Sequence, residues 1–576
     1  MKNSLKQIIL LCLLFFLSFL AIRPFFVTGF FPMHDDTQPA RVFEMAQALS
    51  SGQFPVRWVG DLGYGFGYPL FNFYAPLPYY IGAFFNLVGF DALVATKIMM
   101  VIGILAAGIS IYFLVNELFG KTAGLVAAVL YLYAPYHAVN IYVRGAVGEL
   151  YAFAFLPLIA LGIVKIVKAN GNLKQVKLGI LIASTGFAIV LLSHNILGLI
   201  TGLLLSVILL VYLIYSIIKK QKLTTFYFLL ATVFIGIGLS TFFTLPALAE
   251  KKFTKVEELT GGGSDFRQHF VYLDQFWNSP WGYAGSAPGR QDGMSFKIGK
   301  LQLILGLLSI PIVIYFQKNK KLNKYLCLPA QAGFMFYVLC FIFLISIFMM
   351  LDTSKPVWES IPTLSYIQYP WRFLNITIFS LAVLSGFIFI LLKKPLKIII
   401  AGLIIVSVLW LNVKYFQPQE YLTVSASDYT DRDILNYKIS RISDEYLPPD
   451  FVIPQNREGI AREAIVVDDN LKLISRQENI TDKQYQLEII KPVTVTTNIA
   501  YFPGWQAYVD GVGTGISSKN GRVTVDLPQG LHSLKIVLKD TPIRKGANTI
   551  SILSVFLLLF VSLFWKEMPL CPSKKA

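Results

Sequence analysis

A chain of 576 residues that is 55% hydrophobic, with mean hydropathy +0.60, is too apolar for a water-soluble domain and reads as a polytopic membrane protein. Its formal charge of +17 would suit a nucleic-acid partner, but the excess lysines sit in alternate loops between apolar segments, which is a topology signal. Nucleic acid is thereby excluded, and so is a disulfide framework: Cys12, Cys327 and Cys340 lie in or beside helices and Cys571 lies in the tail.

A spanning helix needs roughly 20 mostly apolar residues. Twelve segments qualify, near 7–25, 91–116, 121–136, 149–167, 177–193, 195–218, 224–247, 301–317, 328–351, 371–392, 396–413 and 546–565. The first has the charged start of a signal peptide without a small-residue cleavage site after it, and reads as an uncleaved anchor. With the N-terminus in the cytosol, alternate loops hold 20 lysines, from Lys2 and Lys6 to Lys574 and Lys575, against only Glu117 and Glu567. Both termini are then cytoplasmic in a multi-pass cell-membrane protein. The external loops are 24–90, 137–148, 249–300 and 352–370.

Residues 31–80 follow the first span and hold the densest polar cluster of the N-terminal half. His34, Asp35 and Asp36 stand where the chain leaves the bilayer. Residues 37–50 read as an amphipathic helix resting on the membrane surface, with Val42, Phe43, Ala46 and Leu49 on one face and Arg41, Glu44 and Gln47 elsewhere. Pro39 fits its first turn, and Asp36 or Thr37 its N-cap. Capping accounts for Asp36 but not for His34 and Asp35. The Gly/Tyr/Phe/Pro-rich stretch 60–80 has little to form a core and much to line a cavity. Residues 79–90 are apolar but too short to span, so they re-enter the membrane or lie in its interface.

The next external turn, YHAVNIYVRGAVGELY, carries His137, Arg144 and Glu149. SHN places His194 and Asn195 at the end of the fifth span. The long loop 249–300 contains GGGSDFRQHF and FWNSPWGYAGSAPGRQDG, and YPWRF brings Arg372 into the tenth span. Charged groups near membrane depth are costly and mark functional pathways. Structural alternatives stand beside each: Arg144 and Arg372 as snorkelling side chains, Glu149 as a partner of Arg144, His194 as a satisfied helix-end residue, and Trp277, Trp281 and Trp371 as interface anchors. Their convergence on the side that holds Asp35 favours function.

Residues 1–413 therefore form a transmembrane domain, and 414–545 a second domain of different composition. There the apolar runs shorten and alternate: AIVVDD, LKLIS, YQLEII, VTVTTNIAYF, QAYVDG, RVTVDL and LKIVL. Turn signals such as Asp510-Gly511 and Asn520-Gly521 separate them, the pattern of an extracytoplasmic β-sandwich. Tyr501, Phe502, Trp505 and Tyr508 form its core or a saccharide-binding face, and large aromatics near turns usually pack. Residues 546–576 are the last span and a cytoplasmic tail.

An acidic pair just past the first span, followed by a helix in a long first loop, resembles the C-type glycosyltransferases (the GT-C superfamily). QALSSGQFPVRW, GYGFGYPLFNFYAPLPYY and YVRGAVGE resemble the 6-pyruvoyl-tetrahydropterin synthase-related membrane proteins, and YFPGWQAYVDG with LPQGLHSLKIVLKDTP resembles the end of YfhO-like membrane proteins. The GT-C resemblance implies sugar transfer from a polyprenyl-phosphate-linked donor, at a membrane surface, to an extracytoplasmic acceptor: an envelope glycan, lipid or protein. It implies a catalytic role for Asp35 and Asp36, with Asp35 as base, and substrate contacts from His34, Arg57, Arg144, Glu149, His194 and Arg372. Besides the donor, membrane lipids are the partners. No fixed cofactor is implied, since superfamily members differ in using a divalent metal.

The five histidines show neither HxH nor HExxH spacing, and CxxC is absent, so no zinc-type metal site is expected. That counts against a soluble-type pterin synthase activity, which needs histidine-bound zinc. No P-loop or dinucleotide motif is present. The competing reading is a non-catalytic membrane protein or a transporter or flippase for lipid-linked saccharides, against which stand the lack of an inverted repeat and of paired broken helices.

Overall fold

Among the described residues, eight helices are long and apolar enough to cross a membrane: Ala92–Phe119, Val147–Lys168, Leu173–Ser193, Asn195–Ile218, Thr224–Phe253, Pro370–Ile390, Lys394–Tyr415 and Pro542–Leu563. The computed structural model describes residues 2–169, 171–256, 261–318, 331–465 and 469–563. Lys320, Lys321, Lys324, Cys327 and the tail with Lys566, Glu567, Cys571, Lys574 and Lys575 lie outside them. Two bent pairs, Lys121–Leu132 with Pro135–Val143 (52°) and Met335–Met350 with Asp352–Ser360 (93°), bring the number to ten if each is one span. Pro135, which has no N–H to continue the first helix, sits at the first break. The helices Lys2–Ile22 and Lys300–Lys318 stand where the first and eighth spans were expected.

The spans differ in how much protein surrounds them. Pro370–Ile390 is 89% enclosed and Val147–Lys168 72%, whereas Pro542–Leu563 is only 17% enclosed. The two most enclosed spans are those that carry Arg372 and Glu149. Glycine lets the second of them pack closely: a Cβ on Gly162 would lie 2.5 Å from Gly179 O and Ala183 N of the next helix.

Beyond the spans the first loop folds inward. Gln38–Ser50 is helical as expected, but it does not rest on a surface: Arg41 is 5% exposed and Glu44 is 1% exposed. The physical reason is a second layer. The rest of the loop and a returning segment from the C-terminal region cover the face that the sequence pattern assigns to solvent. Thr37 occupies the N-cap position without a side-chain bond, and Asp36 does not cap the helix. Residues 79–90 fall largely in the Leu77–Leu87 helix, whose Phe84 and Leu87 remain exposed.

Strands begin at residue 471: β1 Leu471–Glu478, β2 Asp482–Ile489, β3 Val493–Ala500, β4 Trp505–Val509, β5 Val512–Thr514, β6 Ser517–Lys519, β7 Arg522–Leu527 and β8 Gly530–Leu538. They form two antiparallel sheets, ordered β1-β2-β8-β4-β5 and β3-β7-β6. The buried residues Leu487, Leu534, Ile536, Val523 and Val525 come from both sheets. Two of the tight turns have the left-handed backbone their sequences suggest: Asp510 and Gly511 at φ 50° and 81°, Asn520 and Gly521 at 52° and 69°.

Residues 414–465 are not part of these sheets. They run as irregular chain with short helical turns at Ser427–Thr430 and Ile434–Ile439. AIVVDD contributes only an isolated bridge, Ile465 to Thr497, and 466–468 lie outside the described residues. This segment is sewn to the first loop by backbone bonds. Phe30 and Leu422 exchange both N–H···O bonds (3.1 and 2.7 Å), and Ala461 N donates to Tyr64 O at 2.9 Å. Gly29, at φ 73°, allows the first approach, because a Cβ there would sit 2.0 Å from Leu422 O. Phe502 and Trp505 are buried, yet not only among strands: Trp58 of the first loop packs on both, with ring centroids 6.2 and 5.3 Å away.

Candidate functional site

The Val147–Lys168 helix starts two residues after a left-handed glycine, Gly145 (φ 62°), and its first turn presents Glu149, which is fully buried. Burying a carboxylate without partners would cost several kcal/mol, and the partners arrive from two other elements. Arg144 Nη2 donates to Glu149 Oε1 at 2.8 Å, and Arg372 Nε donates to the same oxygen at 3.0 Å. Asn375 Nδ2 donates to Oε2 at 3.2 Å. Asn140 joins the two arms, accepting from Arg144 Nη1 (2.7 Å) and donating to Asn375 Oδ1 (3.1 Å). Two guanidiniums thus face one carboxylate, leaving one net positive charge in a place nearly closed to solvent.

His194 Nε2 stands 3.8 Å from Glu149 Oε1. Burial drives the imidazole down to about 3, so His194 is neutral and the positive excess comes from the arginines. Arg144 also stacks on Trp371, its guanidinium carbon 4.5 Å from the ring centroid. The hydrogen bonds of Arg372 use Nε and Nη1, the latter to Ile367 O and Gln368 Oε1. Those of Arg144 use Nη1 and Nη2. Among the described residues, Nη2 of Arg372 and Nε of Arg144 take no part in these bonds.

The acidic pair is held against this cluster by its backbone. His34 N donates to Val143 O and Asp35 N to Arg144 O, each at 3.0 Å. His34 Nε2 lies 3.0 Å from Tyr283 O of the long loop. The two aspartates then part company. Tyr429 donates its hydroxyl proton to Asp36 Oδ1 at 3.0 Å, and burial pushes the Asp36 carboxyl above the ordinary value. Among the described residues the Asp35 carboxylate accepts no such bond, and it is only partly buried. It lies within electrostatic reach of both Arg144 and Arg41.

Of the eight expected site residues, seven lie in or against this one assembly: His34, Asp35, Asp36, Arg144, Glu149, His194 and Arg372. Arg57 does not. It donates to Asn72 Oδ1, Phe242 O and Asn548 Oδ1 (3.2, 2.9 and 3.0 Å) and lies 3.6 Å from Asp540. That is a separate buried network, centred on Glu250 and Arg544, which the sequence reading missed. The reading also missed Asn140 and Asn375, although each sits a helical step from its arginine (140/144 and 372/375) and so carried a local signal. Arg41 and Glu445 carried none, because their burial depends on segments distant in sequence.

The donor set does not suit a metal ion. Among the described residues no three His, Cys, Asp or Glu side chains converge, and the two guanidiniums around Asp35 would repel a cation. The other histidines are separately engaged: His137 with Leu132 O, His269 with Ser286 and Gly263 O, and His532 with Asp510.

Residues 71–416 match the model of the 6-pyruvoyl-tetrahydropterin synthase related domain, described as a membrane protein. The chain belongs to this family. The matched span takes in Arg144, Glu149, His194, Arg372 and both asparagines, so the charged cluster is inside the family domain. His34, Asp35 and Asp36 precede it, and the β-sheets follow it. An uncharacterized protein of Lactococcus lactis subsp. cremoris (strain MG1363) is 27% identical over 253 residues, 42% of this chain and 39% of its own length. The chain thus aligns with well under half of that relative. The apo oligosaccharyltransferase of Archaeoglobus fulgidus aligns with TM-score 0.43 and 12% identity, covering 71% of this chain and 55% of its own. A second structure of that enzyme, with Zn and sulfate, aligns with TM-score 0.32 and 14% identity, covering 71% and 52%.

Proposed function

We propose that this family member is an integral-membrane glycosyltransferase that moves a sugar from a polyprenyl-phosphate-linked donor to an extracytoplasmic acceptor. The observation that carries the reading is the placement of Asp35, a carboxylate with no hydrogen-bond partner among the described residues, beside a buried cluster with one net positive charge at the first turn of the Val147–Lys168 span. Asp35 takes the proton of the acceptor hydroxyl as its oxygen attacks C1 of the sugar. The C1–O bond to the phosphate breaks, and the phosphate leaves toward Arg144 and Arg372, whose planar forks suit an oxyanion better than a point charge does. Glu149 keeps both guanidiniums in position, and neutral His194 completes the wall.

Asp36, bonded to Tyr429, holds the turn and the covering segment rather than the acceptor. No step is routed through a metal. Purified protein in liposomes, given a polyprenyl-phosphate sugar labelled in the sugar, tests the reading. Release or transfer of label from the lipid supports it. Movement of intact lipid-linked label across the bilayer without cleavage would make the protein a flippase instead.

A further inference from the structure

Arg41 is a buried arginine that the chemistry above does not use. It is 5% exposed, its guanidinium carbon lies 4.1 Å over the Tyr74 ring, and its Nη1 has no hydrogen-bond partner among the described residues. An unpaired buried N–H of a charged group is costly, and here it is held open by scaffolding on both sides. Gln38, one turn earlier on the same helix, accepts from Tyr79 Oη at 2.6 Å and donates to Gly145 O at 2.9 Å. On the far side, the covering segment brings in Glu445. Its carboxylate accepts from Ser443 Oγ at 3.1 Å and lies within electrostatic reach of Arg41. Burial pushes this carboxyl above the usual range. Tyr446 beside it is fixed by a bond from its own N–H to Tyr68 Oη (3.1 Å) and by stacking on Phe73 at 5.2 Å. Asn195, next to His194, donates to Phe73 O at 2.8 Å, which ties this wall to the Glu149 cluster.

The two ends differ in charge. Arg144 and Arg372 meet at Glu149, with Asp35 also within electrostatic reach of Arg144, whereas the single guanidinium of Arg41 lies within electrostatic reach of two carboxylates, Asp35 and Glu445. An anion at the second end would meet both carboxylates. A neutral, hydroxyl-rich ligand would find a guanidinium donor, a carboxyl acceptor and a tyrosine face, the groups that read sugar hydroxyls. We infer that Arg41, Tyr74 and Glu445 form a second subsite that binds a saccharide acceptor, assembled jointly by the first loop and the segment that covers it. Naming this ligand the acceptor rests on the transferase reading; the binding itself does not.

Saturation-transfer NMR on the purified full chain, in a detergent without a sugar headgroup, tests it with methyl α-D-glucopyranoside and inorganic phosphate as separate probes. Wild type should bind the glucoside saturably. Arg41→Lys and Glu445→Gln should each weaken that binding about tenfold and leave phosphate unaffected, while Arg372→Lys should do the reverse. If Arg41→Lys does not fold, the isosteric Glu445→Gln decides alone. No saturable glucoside binding by wild type, or unchanged affinity in the folded variants, overturns the subsite. Loss of phosphate binding alone would count against the donor reading and leave this one standing.

Discussion

Glu149 shows how one residue sets the meaning of its neighbours. Arg144 and Arg372, far apart in sequence, read there as separate substrate contacts or snorkelling side chains. Their common bond to Glu149 Oε1 changes the experiment. Arg372→Ala leaves Glu149 paired with Arg144, so the buried charges balance and the melting temperature should change little. Adding Glu149→Gln leaves the Arg144 guanidinium buried without its carboxylate, at a cost of about 3–5 kcal/mol of stability. The double variant should therefore melt lower than Arg372→Ala alone, in which donor binding should be weaker than wild type by about 1.5–3 kcal/mol. Thermal unfolding and donor titration check the two halves. Wild-type donor affinity in Arg372→Ala would return Arg372 to a purely structural role.

At the scale of elements, the Glu250 and Arg544 network joins three pieces of chain far apart in sequence. Arg544 Nε and Nη2 both lie 3.0 Å from Glu250 Oε2, and Thr541 and Asn72 complete the carboxylate's bonds at 2.9 Å each. The pair fixes where the last helix leaves the β-sheets, and Arg57 ties the first loop to it through Asn548 and Asp540. Glu250→Gln should lower stability by about 3–5 kcal/mol, read as a fall in melting temperature, because it leaves Arg544 buried and unpaired. An unchanged melting temperature would show that the network bears no load. Local elements were legible in the sequence where periodicity or turn chemistry decides them: the apolar spans, the Gln38–Ser50 helix, and the turns at Asp510-Gly511 and Asn520-Gly521. What a helix face touches was not legible. Arg41 and Glu44 look solvated by spacing alone, and it takes residues 60–74 of the first loop together with the segment from Leu422 to Ala461 to bury them. Glu445 gives no sign, in a polar stretch, that it lies against a helix some 400 residues earlier.

At the scale of the whole molecule, loop and covering domain share one apolar core. Trp58, Phe73, Phe502 and Trp505 form a continuous aromatic cluster across the two. Deleting residues 423–539 would therefore unmake the first loop along with the domain, so point changes such as Glu445→Gln are the cleaner probe of acceptor choice. The lysine distribution sets the expected orientation. With the native cysteines replaced by serine, a cysteine at Asn172 or Lys394 should react only from the cytosolic side, and one at Lys519 only from outside. Labelling of Asn172 from outside would invert the side of every proposed site.

The sharpest contrast in the molecule is between adjacent carboxylates, Asp36 bonded to Tyr429 and Asp35 with its oxygens unengaged beside Arg41 and Arg144. Sugar transfer from a polyprenyl-phosphate donor, measured side by side in purified Asp35→Asn and Asp36→Asn, tests that contrast directly. Loss of a general base should slow Asp35→Asn by about 10²–10⁴-fold, while Asp36→Asn keeps transfer within about tenfold of wild type. Full activity in Asp35→Asn, or a deeper loss in Asp36→Asn, would contradict the assignment of Asp35 as the base.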